Sequence, residues 1–274
     1  MYILFDIGAT QMRIASSRDG KKIADVKIVS TPDNFMEGMA LFQKLAPELA
    51  RHERIKAVAG GTAGSLDRKK GMIFDSPNLP DWNNKPLRKT LEQMFDTKKI
   101  YLENDTALVG LGEAVEGAGK KNNIVAYVTI STGVNGVRIV DGTIDRSAMG
   151  FEIGHQIIGG YPDKTLENAI GAAALARRYN MPASQITDPM VWEIAHLNLA
   201  YGLHNTILHW SPDIVVLGGG QVRAGSIKME KINTFVSKLR HMFPTIPPIK
   251  KASLGDLGGI HGALIYLRQQ KKRK

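Results

Sequence analysis

Five short stretches carry residue types in spacings that can do chemistry. Asp6-Ile7-Gly8-Ala9-Thr10 joins an apolar run to an acid and a tight Gly/Thr turn, and Ser131-Thr132-Gly133 ends a second apolar run in the same way. Such turns point backbone amides outward, and a nearby carboxylate can hold hydrated magnesium. One copy alone is weak, because buried strands often end in glycine turns. Two matching copies can grip one triphosphate.

The third stretch, Glu103-Asn104-Asp105, lies where a strand is expected to run into a helix, a common place for working residues in an alternating fold. It reads in two ways. Asn104 or Asp105 caps the helix, or Asp105 is a base that removes a hydroxyl proton during phosphoryl transfer. Glu152-Ile153-Gly154-His155, with Glu167 further on, reads as metal ligation, as a polyol clamp, or as a segment whose histidine is structural. Finally, Leu217-Gly218-Gly219-Gly220 comes after a buried run and lets a flat group such as a nucleotide base or ribose approach the backbone. Two loops rich in turn residues, Gly60–Asp67 and Ser76–Trp82, complete the set, with Trp82 either a ligand wall or a lid over the core.

The elements that must position these residues can be read from periodicity and breakers. Strands are expected at 2–7, 11–16 and 22–29, a helix at 34–51, and a strand at 55–59 stopped by Gly60-Gly61. A strand at 99–102 then feeds a helix at 105–116. The pattern restarts with strands at 123–131 and 134–140, the second ending in an Asp141-Gly142 hairpin turn. Helices at 165–178, 189–209 and 226–243 surround a strand at 213–217, and Pro244, Pro247 and Pro248 mark a linker. A last helix from Gly258 to about 269 is expected to pack back on the first half. Gly8 stands at the same distance from Arg13-Ile14 as Gly133 from Arg138-Ile139, which suggests an internal duplication.

Composition narrows the classes. Hydrophobic residues at 43% and charged residues at 23% describe a globular chain. With no cysteine, disulfides, thiol nucleophiles and cysteine-based zinc sites are excluded. The N-terminus has no basic region before its apolar run and is read as no signal peptide, and no apolar run reaches membrane-spanning length, so the cytoplasm is the expected compartment. The net charge of +10 includes the terminal Lys271-Lys272-Arg273-Lys274. It invites either nucleic acid or phosphate-bearing ligands, and no zinc finger, RNA-binding signature or helix-turn-helix accompanies it. A chain that opens on a strand is read as leaving no room for an upstream DNA-binding module.

Taken together these motifs resemble the ROK family (repressors, open reading frames and kinases), over nearly the whole length. Asp6–Thr10 and Ile130–Gly142 resemble its two phosphate loops, Gly60–Asp67 its Gly-x-Pro-Gly segment, and Asn78–Trp82 its sugar loop. Glu103–Asp105 resembles its catalytic Glu-Asn-Asp, Glu152–His155 its Glu-x-Gly-His, and Asp213–Gly220 its adenosine segment. The resemblance implies an α/β, actin-like, ribonuclease-H-like duplicated fold of two lobes with a central cleft. Residues 1–106 with 255–274 would form the smaller lobe and 107–254 the larger.

It further implies an ATP-dependent hexose kinase using Mg2+, with glucose and its 6-OH as first choice and fructose or an N-acetylhexosamine as others. Asp105 is then the base. Gly64, Asn78, Asn104, Glu152, His155 and Glu167 contact sugar, while Asp6, Gly8, Thr10, Thr132, Gly133, Gly219 and Gly220 hold nucleotide. A homodimer with no nucleic-acid or membrane partner is expected. The alternatives are a sugar sensor without turnover and a glucokinase fed by polyphosphate. Relatives carry a three-cysteine zinc loop after the Glu-x-Gly-His; here Gln156–Leu166 has no cysteine, and zinc is expected to be absent. Gln11 and Ala63 stand where relatives often have Lys and Pro.

Overall fold

In the computed structural model, which describes residues 1–76, 78–239 and 242–272, the chain divides into two units. One comprises Met1–Gly112 with Asp256–Lys274, the other Glu113–Gly255. Of the basic tail, Arg273 and Lys274 lie outside the described residues.

The first unit runs β1 (Tyr2–Ile7), β2 (Gln11–Ser17), β3 (Val26–Ser30), α1 (Phe35–Leu49), β4 (Ala57–Thr62), β5 (Ser65–Asp67), β6 (Met72–Asp75), α2 (Leu87–Phe95), β7 (Ile100–Asn104) and α3 (Asp105–Val115). The division between units falls inside α3. The main sheet has the order β3-β2-β1-β4-β7, antiparallel as far as β1 and parallel beyond it. A central strand is covered on both faces, which is why β1 reads as an almost unbroken apolar run. Ile3, Phe5 and Ile7 share a core with Met39 and Phe42 of α1, where the Phe5 and Phe42 rings meet edge to face with centroids 5.4 Å apart. Side chains alternate along a strand, so Leu4 and Asp6 point the other way.

The second unit runs β8 (Ile124–Ile130), β9 (Val134–Val140), β10 (Thr143–Ile144), α4 (Leu166–Ile170), α5 (Ala172–Tyr179), α6 (Pro189–Trp210), β11 (Ile214–Gly218), α7 (Gly220–Arg223), α8 (Met229–Lys238) and β12 (Ile249–Lys251). Its sheet order, β10-β9-β8-β11-β12, repeats the first with the same sequence of antiparallel and parallel pairings. Ala126, Val128 and Ile130 of β8 form a core with Leu199, Leu203 and Ile207 of α6. The closing helix α9 (Gly258–Lys272) belongs to the first unit and packs on β1 and β4, the return expected from the sequence.

The duplication exists, but its residue alignment differs from the one suggested by spacing. Ile7 pairs with Met12 and Ile130 with Val134, so the strand ends Ile7 and Ile130 are equivalent, and Gly8 corresponds to Ser131. Several expected boundaries also move. Gly60-Gly61 does not stop β4, because both glycines lie inside it. A Cβ on Gly60 would come within 2.3 Å of the Phe5 ring, so glycine is what lets β4 lie against β1. The helix expected at 165–178 is broken at Gly171, whose ψ of 140° is extended, and the one at 226–243 shortens to α8. The short strand β12 comes after the prolines, and Gly218 is still strand and not turn.

Candidate active site

The parallel strands of the first unit deliver their chemistry at one end. Asp6 on β1 is paired with Arg13 on β2 and with Gly61 on β4; Gly61 in turn is paired with Glu103 on β7, and Thr62 with Asn104. Asp105 comes at once as the first residue of α3. A Cβ on Gly61 would come 2.9 Å from the Asp105 Cα, so this glycine sets how closely α3 approaches the sheet.

Asp6 is 7% exposed. Burial, and then the negative charge of Asp105, push its carboxyl up to about 7 against the pull of Arg13. Asp105 is raised as well, chiefly by burial, while the Thr106 amide donating to its Oδ1 at 2.7 Å favours the charged form. Arg13 places Nη1 3.6 Å from Asp6 and Nη2 3.8 Å from Asp256, and donates from Nη2 to Gln11 Oε1 at 2.7 Å. Gln11 therefore steadies Arg13. On the other side of Asp6 lies α9, where a Cβ on Gly259 would sit 2.5 Å from the carboxylate.

Asn104 caps α3, one of the two readings its sequence context allowed, and also braces the neighbouring loop. Its Oδ1 accepts from the Ala107 amide at 3.1 Å, a capping bond, and its Nδ2 donates to the Gly64 carbonyl at 3.0 Å. Gly64 has φ of 95°, and a Cβ there would meet the Asp75 carbonyl at 2.5 Å. Sequence reasoning gave Glu103 and Arg68 no separate role. The Glu103 carboxylate is 4% exposed, grips Arg68 Nε at 3.1 and 3.0 Å through its two oxygens and Nη2 at 2.5 Å, and accepts from the Asn104 amide at 2.8 Å. This forked ion pair ties the turn after β5 to the end of β7. The only sequence signal was an acid directly before Asn-Asp. Asn78 is exposed, whereas Trp82 belongs to the core, fully buried with its indole N–H on the Pro32 carbonyl at 3.1 Å.

The second unit brings together its own set. Ala172 and Ala173, at the start of α5, donate to the carbonyls of Ser131 and Thr132, each at 2.9 Å. The break at Gly171 makes this possible, since a continuous helix would have kept those amides for itself. Glu167 Oε2 accepts from the Val134 amide at 2.7 Å and would lie 2.4 Å from a Cβ on Gly133. A Cβ on Gly154 would run into the Val134 carbonyl at 1.9 Å and meet the Glu167 Cβ at 3.4 Å. Glu167 thus lies between the Gly133 turn and the Glu-x-Gly-His segment. Within that segment Glu152 and His155 are exposed, and Glu152 Oε2 accepts from Asn135 Nδ2 at 3.1 Å. Gly219, at φ of 95°, packs so tightly that a Cβ would meet the Ile130 backbone at 2.2 Å, and Gly220 opens α7. Among the described residues no group of three or more His, Cys, Asp or Glu is arranged to hold a metal ion.

The two turns share a property that only coordinates reveal. In the first, Gly8 N donates to Gln11 O at 3.0 Å and Thr10 O accepts from Thr31 N at 3.1 Å, leaving the amides of Ala9 and Thr10 without a hydrogen bond to any described residue. In the second, Ser131 N donates to Gly133 O at 2.9 Å, leaving those of Thr132 and Gly133. Each turn presents two consecutive unpaired amides, a fit for an anion.

The ROK family model matches residues 2–270. A glucokinase from Thermotoga maritima is 28% identical over an alignment covering 97% of this chain and 96% of the relative. An N-acetyl-D-glucosamine kinase from Escherichia fergusonii is 27% identical, covering 96% of this chain and 98% of the relative. Among solved structures, a ROK family glucokinase from Streptomyces griseus in complex with glucose and AMPPNP has a TM-score of 0.81 at 21% identity, covering 97% of this chain and 99% of that one. Its likeness is one of fold, and that fold is actin-like. The motif order, the doubled sheet topology and a family match over nearly the whole length agree, and the chain belongs to the ROK family.

Proposed function

We propose that the chain is an ATP-dependent hexose kinase, a sugar kinase that transfers the γ-phosphoryl group to a sugar hydroxyl, with the glucose 6-OH as the first acceptor to test. The observation that carries this is Asp105, a half-buried carboxyl at a strand end beside the buried carboxyl of Asp6, with unpaired turn amides in the same unit. A general base works best with a value shifted toward the operating pH, and burial supplies that shift. Asp105 holds the acceptor hydroxyl and takes its proton as the new O–P bond forms. Asn104, fixed by Ala107 and Gly64, orients the same sugar, and Glu152, His155, Glu167 and Asn78 are the further sugar contacts.

Mg2+-ATP supplies the phosphoryl group and offsets its charge when bound. The donor set fits it: Asp6 offers hard carboxylate oxygen suited to hydrated Mg2+, and a cation would offset the cost of charging this carboxyl in its buried place. The unpaired amides of Ala9, Thr10, Thr132 and Gly133 suit phosphate oxygens, and Gly219-Gly220 suits the adenosine. ATP and not polyphosphate is the favoured donor, because Gly220, where a Cβ would meet only Ser131 Oγ at 3.5 Å, leaves the backbone open to a flat group that polyphosphate lacks.

A coupled ADP-release screen over hexoses and N-acetylhexosamines, with ATP and Mg2+, tests the reading. Turnover with at least one hexose is expected. Sugar binding without ADP release would replace the kinase with a sensor. Initial rates with ATP and with medium-length polyphosphate decide the donor, and sedimentation of the purified chain checks the homodimer.

A further inference from the structure

Five cations gather at one place that the kinase reading does not use. Strands β1, β4 and β7 run parallel, so their starts lie at the opposite end of the sheet from Asp6, Gly61 and Asn104. There a hollow of about 500 Å3 opens, lined by Tyr2 on β1, Ala57 on β4, Tyr101 on β7 and the segments leading into these strands. Its rim holds five cations, Arg54, Lys56, Lys98, Lys99 and Lys271, against the single acid Asp96.

The walls are held in place. Met1 O accepts from Lys56 N at 2.8 Å, and Thr97 Oγ1 donates to Lys56 O at 3.2 Å, joining the end of α2 to the start of β4. Lys271 of α9 donates to the Tyr2 hydroxyl at 3.0 Å, with its Nζ 4.7 Å from the ring centroid. Lys98 is paired with Glu92 at 3.1 Å. Arg54, Lys56 and Lys99 form no ion pair with any described residue. The Met1 ammonium, which donates to the Arg54 carbonyl at 2.8 Å, is lowered first by burial and then by the charge of Lys56, against the pull of Glu53.

A solvated face normally intersperses both signs. A concave rim of nearly one sign, walled by two tyrosines, instead raises the local concentration of anions. Lysines act as point charges toward phosphate, and several of them spread over a hollow suit several linked phosphates better than one. We propose that this hollow binds a phosphate chain, either inorganic polyphosphate or the triphosphate of a nucleotide, at a site separate from Asp6 and Asp105. The proposal does not rest on the kinase reading.

Calorimetric titration of inorganic tripolyphosphate and of ATP into the full chain, at about 0.15 M salt where loose surface attraction is screened, tests it. Two charge-reversed proteins are compared with the wild type: Lys56→Glu with Lys99→Glu in the hollow, and Lys120→Glu with Lys121→Glu on an exposed stretch of the other unit. The hollow variant is expected to bind tripolyphosphate at least tenfold more weakly and the second variant within twofold of wild type. Tyr101→Ala separates the sources: weaker binding of ATP alone marks a nucleotide, and no change marks the bare phosphate chain. Should the hollow variant melt early, Lys56→Gln with Lys99→Gln repeats the comparison. Equal weakening in both charge-reversed proteins, or none in either, would overturn the proposal.

Discussion

The two units build one topology and spend it differently. One residue before the end of the central strand, β1 carries Asp6 where β8 carries Thr129. The parallel neighbour opposite is glycine in both, Gly61 and Gly218. Gly61 admits the backbone of Asp105, whereas Gly218 makes room for the Tyr127 ring, whose hydroxyl lies 2.3 Å from where a Cβ would be. At this strand end the first unit has thus placed a buried charge where the second has none. The second holds its turn by backbone bonds from α5 and by one glutamate. Equivalent positions in a duplicated fold need not keep equivalent chemistry; what they keep is the unpaired-amide turn.

If this contrast is right, damage to the two units should separate rate from affinity. The largest effect is expected from Asp105→Asn, which keeps size and removes the base. Turnover should fall by roughly 100-fold or more with sugar affinity largely kept. Steady-state kinetics with a direct binding measurement checks this, and near-normal turnover would sink the assignment.

In the second unit, Glu152→Gln or His155→Ala should act on the acceptor. Loss of one hydrogen bond to a bound hydroxyl, about 1–3 kcal/mol, corresponds to a rise of roughly 5- to 150-fold in the apparent constant for sugar. The constant for ATP should change little. Matched losses for both substrates would mean that the segment is structural.

A third test sets stability against pH in the first unit. Asp6 has its carboxyl raised from 3.8 to about 7 in the folded chain, so the native state binds this proton more tightly than the unfolded one. The contribution is favourable at low pH and is lost as pH rises from about 4 through about 7. Asp6→Asn should therefore melt higher than wild type at pH 8 without ligand, with the gap closing toward pH 4, even as activity drops. A variant that melts lower at pH 8 would contradict the picture of an unfavourably buried charge.

The smallest effect is expected from metal. Elemental analysis of protein purified without added metal should find well below one zinc per chain, and a zinc-selective chelator should leave melting unchanged. Stoichiometric zinc would show that His155 has found other partners.

Much of this was legible because it is local. An apolar run ended by an acid and a Gly/Thr turn states its own strand and turn, and two such runs in order announce a duplication. Zero cysteine excludes a thiolate site in any fold. The motif order sufficed for the family. Legibility ended where the reason for a residue lay on another element. Gly60-Gly61 looks like a strand stop in isolation, but Phe5 and Asp105 are what require glycine there. Gly171 interrupts a helical pattern because the next two amides are used by Ser131 and Thr132, some forty residues earlier in the chain. Trp82 in a Pro/Asn loop read equally as a ligand wall or a lid over the core, and only its burial and the bond of its indole to the Pro32 carbonyl decided for the core.

The sequence by itself determined the central strands of both halves, the family, and which residue types were available for phosphate, sugar and proton transfer, since these depend on composition and short spacing; it missed short elements such as β5, β6, α2 and β12. Tertiary structure alone decided which carboxyls share a buried strand end, that Glu103 is held by Arg68, and which turn amides stay unpaired. It also decided where the cations gather at the far edge of the sheet. Burial, charge coupling and hydrogen-bond vacancy are properties of neighbours in space, and only packing chooses those neighbours.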